Sequence, residues 1–318
     1  CPVCDGRACA GEVPGMGGLG TGSAFSANLQ SLAAVRFNMR LIHDVSEPNT
    51  HCELLGQKLA LPLLAAPIGG VSFNMGGKIS EEAYISAVLG GCADAGILGC
   101  VGDGVPDFIH QAGYDAIQSH DGKGIPFIKP WEEAAFYEKL QKALDAGASI
   151  VGMDLDAAGL ITLKQMGRPV SPKSPAKLAK IIDQVGVPFI LKGVMTATDA
   201  RKAIDAGAQA IVVSNHGGRV LDHAPGAAEV LPEIANAVKG QIAILADGGV
   251  RTGGDVLKML GLGADAVMIG RPFSVAAMGG LKDGVSQYIA QISGQLKAAM
   301  VLTGTSGVNS VRRSILRI

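Results

Sequence analysis

The chain has 318 residues, 48% apolar and 17% charged, which is enough to bury a large core and too apolar for disorder. Its formal net charge of −1 excludes the broad basic surface that nucleic-acid binding needs. No apolar run reaches the roughly 18 residues of a helical membrane span. Glycine is abundant, at 45 residues, and aromatic residues make up only 4%.

Residues 1–23 are glycine-rich and irregular. Cys1, Cys4 and Cys9 lie here, but no fourth ligand is near, so no metal site is expected. Gly15, Gly17 and Gly20 have the spacing of a dinucleotide fingerprint. That fingerprint needs a strand before it, and Pro14 precedes it instead, so a turn-rich lead is expected. No basic head with an apolar stretch is present, so no secretory leader is expected. Six cysteines in a large chain fit reduced thiols and a cytoplasmic location. Residues 24–42 have helical spacing through Phe25, Leu29, Leu32 and Val35. Residues 1–60 are assigned to an N-terminal extension, and 61–318 to a barrel with C-terminal helices.

From residue 61 a rhythm begins. Apolar runs stand at 61–67, 96–101, 125–129, 149–154, 187–191, 209–214, 242–247 and 265–270. Helix-like segments lie between them, at 131–146, 174–185, 197–206 and 252–262. Continuous apolar strands alternating with helices imply a parallel sheet covered on both faces. Eight such units predict an α/β fold of the (β/α)8 TIM-barrel class. Gly147, Gly207 and Gly263 each follow a helix and serve as C-terminal caps. Residues 160–175, with Gly167, Pro169, Pro172 and Pro175, form a loop after strand four and a candidate lid. Residues 283–312 read as one or two final helices.

Barrel chemistry sits at the C-terminal ends of the strands. That rule selects Pro67, Ile68 and Gly69, then Lys129, Asp154, Lys192, Ser214 and His216, and finally Asp247, Gly248, Gly249, Gly270 and Arg271. The most informative stretch is 214–222, Ser-Asn-His-Gly-Gly-Arg-Val-Leu-Asp. A buried run, 210–213, feeds directly into it. Its glycines allow unusual backbone angles. His216 exchanges a proton near neutral pH, and Arg219 grips a carboxylate or phosphate with two prongs. Together they suggest proton abstraction from an anionic substrate. Glycines 248, 249 and 270, with Arg251 and Arg271, fit a phosphate site after strands seven and eight.

These motifs, SNHGGRxLD at 214–222, DGGVR at 247–251 and GRP at 270–272, resemble the FMN-dependent α-hydroxy-acid oxidases and dehydrogenases, the family of glycolate oxidase and lactate oxidase. The resemblance runs from about Asn28 to the C-terminus and is strongest in the second half. It implies bound FMN and oxidation of a small 2-hydroxy acid to the 2-oxo acid. In that reading His216 is the base, Arg219 holds the substrate carboxylate, and Lys192 stabilises the reduced flavin. Asp154 pairs with His216, with Asp156 as the competing choice. Flavin contacts fall on Pro67, Ile68, Gly69, Lys192, Ser214, His216, Asp247, Gly248, Gly249, Arg251, Gly270 and Arg271. The resemblance also favours a homotetramer.

The sequence departs from the family in places. No tyrosine precedes Tyr84. Residues 126–129, Pro-Phe-Ile-Lys, stand where the family has Gln-x-Tyr. Ala157, Ala158 and Gly159 occupy the place of a second arginine. Lys129 is a candidate replacement at the substrate. The departures keep open a barrel reductase or isomerase acting on another substrate, and a flavin-binding barrel with decayed activity.

Overall fold

A computed structural model describes residues 17–160, 163 and 166–318. Cys1, Cys4, Cys9 and Gly15 lie outside these residues, as do four positions of the candidate lid. After helix α1 (Ser23–Ala34) and strand β1 (Arg36–Phe37) comes a short hairpin, β2 (Cys52–Leu54) and β3 (Gln57–Leu59). The barrel strands follow: β4 (Leu63–Ile68), β5 (Leu98–Val101), β6 (Ile125–Ile128), β7 (Val151–Asp154), β8 (Phe189–Lys192), β9 (Ala210–Val213), β10 (Ala243–Ala246) and β11 (Ala266–Ile269). All eight pair in parallel and close in sequence order. The predicted (β/α)8 barrel is the observed fold.

The apolar runs are continuous because each strand is buried on both faces. Alternate residues divide between two cores. Ile190, Val212, Leu245 and Met268 fill the inside, where Leu54 and Leu59 of the hairpin join them. Met153, Leu191, Val213 and Ile269 face the helices. Gly152 is small because a Cβ there would lie 2.4 Å from the Phe127 ring. The Phe127 ring thus occupies the space that the missing side chain leaves, as close packing requires.

The outer ring is α2 (Val71–Asn74), α3 (Glu81–Asp94), α4 (Asp107–Ser119), α5 (Glu133–Asp145), α6 (Pro175–Val185), α7 (Ala197–Asp205), α8 (Ala227–Val238), α9 (Gly253–Leu262) and α10 (Arg271–Thr303). Serine or threonine side chains cap the starts of α3, α6, α7 and α9, each satisfying a backbone N–H that the helix leaves open. Asp255 completes a capping box with Thr252. The tail begins earlier than the sequence implied. Helix α10 starts at Arg271, directly after β11, and breaks at Gly280 and Leu281. Strand β12 (Leu316–Arg317) then pairs with β1 and ties the two ends of the described chain together. Among the described residues no helix is long and apolar enough to cross a membrane.

Candidate active site

The two-residue period of the strands builds the floor of the site. In β7 to β10 the inward positions are apolar until the last one. Asp154, Lys192, Ser214 and Asp247 then occupy the inward layer at the C-terminal end, and all four are buried. Ion pairing and a hydrogen bond offset part of their cost of burial. Asp154 lies opposite Lys192 in the ladder, with Oδ1 3.0 Å from Nζ. Ser214 Oγ donates to Asp247 Oδ2 at 2.9 Å. Burial would lower the Lys192 pKa, but Asp154, then Asp156 and Asp247, reverse this and hold it raised. Burial pushes the Asp247 carboxyl up, and Lys192 offsets part of that rise.

His216 stands just above this floor. It opens a short 3₁₀ turn, His216–Gly218, and three successive residues adopt left-handed angles, with φ of 56, 63 and 79°. A histidine rarely adopts this angle without compensation. The compensation is a set of hydrogen bonds. His216 N–H donates to Ser214 Oγ at 3.0 Å, and Gly218 N–H donates to Asn215 Oδ1 at 3.0 Å. Gly218 must lack a side chain, since a Cβ there would lie 2.4 Å from the Phe25 nitrogen.

The imidazole partner is Asp156, not Asp154. Asp156 Oδ1 is 2.9 Å from His216 Nδ1, whereas Asp154 is turned into the barrel toward Lys192. The physical reason for this correction is the strand period. Asp154 ends β7 pointing inward, and Asp156 sits beyond it on the 3₁₀ turn Leu155–Gly159, level with the rim. Burial would raise the Asp156 carboxyl, but His216 and Lys192 outweigh burial and hold it below the usual carboxylate range. An anionic Asp156 only accepts hydrogen bonds, so Nδ1 carries the proton between them and Nε2 is left as the basic nitrogen.

A cavity of about 460 Å³ opens over these groups, within the range of cofactor and substrate sites. Pro67, Ile68, Gly69, Lys129, Asp154, Lys192, His216, Arg219, Asp247, Gly248, Gly249, Arg251, Gly270 and Arg271 all line it. Ser214 does not, being covered beneath His216. Burial lowers the Arg219 pKa, yet a guanidinium keeps its charge. Apolar residues, among them Phe73, Leu160, Leu163 and Met166, form another part of the wall. Among the described residues no tyrosine lines the cavity. Asp154, Asp156 and His216 place ligand atoms within 4.8 Å of one another. The Lys192 ammonium lies 3.0 Å from Asp154, 3.9 Å from Asp156 and 3.4 Å from His216, so the cation among them is a lysine.

The cavity fits FMN on its own chemistry. Asp247 Oδ1 is buried without a hydrogen-bond partner among the described residues, an acceptor suited to a ribityl hydroxyl. Gly248 and Gly249 line the cavity with φ of 93 and 83°, angles that side chains other than glycine's rarely allow. Helix α10 begins at the same corner, where a helix start favours phosphate.

Several residues take roles not anticipated. Arg271 donates from Nη1 to Gly17 O at 3.0 Å and from Nη2 to Gly217 O at 2.9 Å, and lies 4.5 Å from the Phe25 ring centre. It clamps the leading segment to the His216 turn. Asp222 accepts from Thr21 N–H and Ser23 N–H, at 2.6 and 3.1 Å, and so anchors α1. Gly20 packs on that carboxylate, which accounts for a glycine of the apparent nucleotide fingerprint. His223 is exposed, with Nδ1 3.1 Å from Ser23 Oγ.

Asn28 was missed. It is buried, donates to Asn215 Oδ1 at 2.7 Å and accepts from Ala227 N–H at 3.0 Å. Its backbone and side chain also pack on Gly248 and Gly249. Its position three residues after Phe25 and four before Leu32 placed it on the apolar face of α1, where a polar residue needs a partner. Also missed was Asp103, whose carboxylate is bound by Lys139 Nζ at 2.8 Å, Lys129 N–H at 3.0 Å and Trp131 Nε1. Lys129 Nζ reaches the Asp103 carbonyl.

Comparisons with known proteins bear on the family and the fold. The FMN-dependent dehydrogenase family matches residues 15–169 and 163–318. An L-lactate oxidase of Lactobacillus jensenii is 34% identical, covering 87% of this chain and 74% of the relative. A 4-hydroxymandelate oxidase of Amycolatopsis orientalis is 30% identical over 93% of this chain and 90% of that protein. A crystal structure of mandelate oxidase superposes with a TM-score of 0.82 at 29% identity, covering 94% of this chain and 91% of that one. Another mandelate oxidase structure, of a variant with an FMN adduct, has a TM-score of 0.78 at 31% identity. The chain belongs to the FMN-dependent dehydrogenase family and is an FMN-dependent oxidoreductase of 2-hydroxy acids.

Proposed function

We propose that this chain oxidises a small 2-hydroxy acid, of the lactate or glycolate type, with His216 as base and Arg219 as carboxylate clamp. The observation that carries it is His216, which lines the cavity together with Arg219 and has Asp156 2.9 Å behind its Nδ1. FMN, when bound, supplies the two-electron acceptor. Arg219 holds the acid by a two-pronged contact. His216 Nε2 takes the proton from the substrate, and Asp156 stabilises the imidazolium that forms. Lys192 offsets negative charge that develops beside it. When FMN is bound, Asp247 would accept from the ribityl chain, and Gly248, Gly249, Gly270, Arg251 and the start of α10 would hold the phosphate. Pro67, Ile68 and Gly69 line the same cavity at the end of the neighbouring strand β4. Lys129 sits at the rim as a second cation for the acid.

Family resemblance extends the proposal to a homotetramer, and the cysteine usage extends it to the cytoplasm. The free thiols of Cys52, Cys92 and Cys100 suit such a compartment. The absence of tyrosine from the described cavity lining favours a second reading, in which the same flavin site acts on a different substrate.

The test compares each acid with its uncharged amide in Arg219→Met. Losing a charged hydrogen bond of about 1.5–3 kcal/mol should lower kcat/KM for the acid by about 10- to 100-fold. The amide should be nearly unaffected. An equal loss for acid and amide would remove Arg219 from the carboxylate.

A further inference from the structure

Asp154 is a buried carboxylate that the proposed reaction does not use. It is not the histidine partner, because Asp156 fills that place. Its side chain and that of Lys192 are 6% and 4% exposed, with Oδ1 3.0 Å from Nζ. Both residues line the cavity. They stand opposite each other on adjacent parallel strands, so the contact is fixed by the ladder and not by a mobile loop. Asp156 Oδ2 lies 3.9 Å from the same ammonium. One positive charge therefore faces two carboxylates in a buried site, where charge interactions are screened weakly.

Reduction of a flavin in this cavity adds negative charge to it. An isolated ammonium would favour that change. A carboxylate in contact with the ammonium holds it in place, cancels part of its field and opposes the added charge. We propose that Asp154 is a positioning residue that fixes Lys192 and lowers the reduction potential of the bound flavin. The proposal rests on FMN occupying this cavity, and not on which acid is oxidised.

The experiment measures the midpoint potential of FMN-loaded protein against a reference dye, without air and without any hydroxy acid. Asp154→Asn should raise the potential by about 30 mV or more, equivalent to a tenfold shift in a two-electron equilibrium. Asp154→Glu should restore most of the wild-type value. An unchanged or lowered potential in Asp154→Asn would overturn the proposal, and so would loss of FMN from the folded variant. A second comparison covers misfolding. Removing both charges, in Asp154→Asn with Lys192→Met, should give a potential above that of Lys192→Met alone, and equality would overturn it. A raised potential in a protein that no 2-hydroxy acid reduces would leave this inference standing and defeat the proposed substrate.

Discussion

Two aspartates two residues apart serve different partners at the end of β7, and the difference is one of direction. Asp154 points into the barrel at Lys192, and Asp156 rises to His216. Their substitutions should separate cleanly. Asp156→Asn leaves Nδ1 without an anionic acceptor, so the imidazolium formed in the reaction loses its counter-charge. Flavin reduction by a substrate acid should slow by about 10²-fold or more, within the range for general-base groups, with FMN retained. Rapid mixing without air measures this. A wild-type rate in Asp156→Asn would show that the pair has no part in proton transfer. The residue types in the motif from Ser214 to Asp222 were legible in the sequence because that spacing serves one chemistry. The choice between Asp154 and Asp156 was legible too, had the alternation of β7 been carried to its end: Met153 faces the helices, so Asp154 must face inward.

At the scale of elements, the site depends on how loops are pinned to the barrel. Helix α1 reaches the His216 turn through Asn28, and Asp222 reaches back to the segment before α1. These are contacts between residues about 200 positions apart, which local pattern does not reveal. The loop between β5 and α4 is pinned by Asp103 to Lys139 in a buried pair, with side chains 2% and 6% exposed. Breaking such a pair strands a buried charge, so Asp103→Asn should destabilise the fold by about 3 kcal/mol or more. The pH dependence follows from its pKa. Burial would raise the Asp103 carboxyl, but Lys129 and Lys139 outweigh burial and hold it low. The folded state then binds fewer protons than the unfolded one near the ordinary aspartate value of about 3.9. The stability contributed is present above that pH and lost as pH falls through the lower folded value. Thermal unfolding of wild type and Asp103→Asn across this window should show the difference between them shrinking on acidification. A difference independent of pH would contradict the assignment.

For the whole molecule, strand rhythm was enough to give the architecture. Eight apolar runs matched eight barrel strands to within a few residues at each end, because strands buried on both faces leave an unbroken apolar signature. Less legible were the helix that begins at Arg271 instead of near residue 283, and the use of Arg271 as a clamp on Gly17 and Gly217. Both follow from tertiary contacts around a loop that the glycine and arginine pattern marked only as phosphate-binding. The architecture gathers an imidazole, ammonium and guanidinium groups around one cavity, where a 2-hydroxy acid gives its electrons to FMN while His216 takes its proton. The most direct measurement is flavin absorbance after mixing FMN-loaded protein with lactate, glycolate and mandelate in the absence of air. At least one of these acids should bleach the flavin band in wild type, and none should do so on the same timescale in His216→Gln that retains FMN. Bleaching at an equal rate in His216→Gln, or in wild type no faster than without acid, would contradict it.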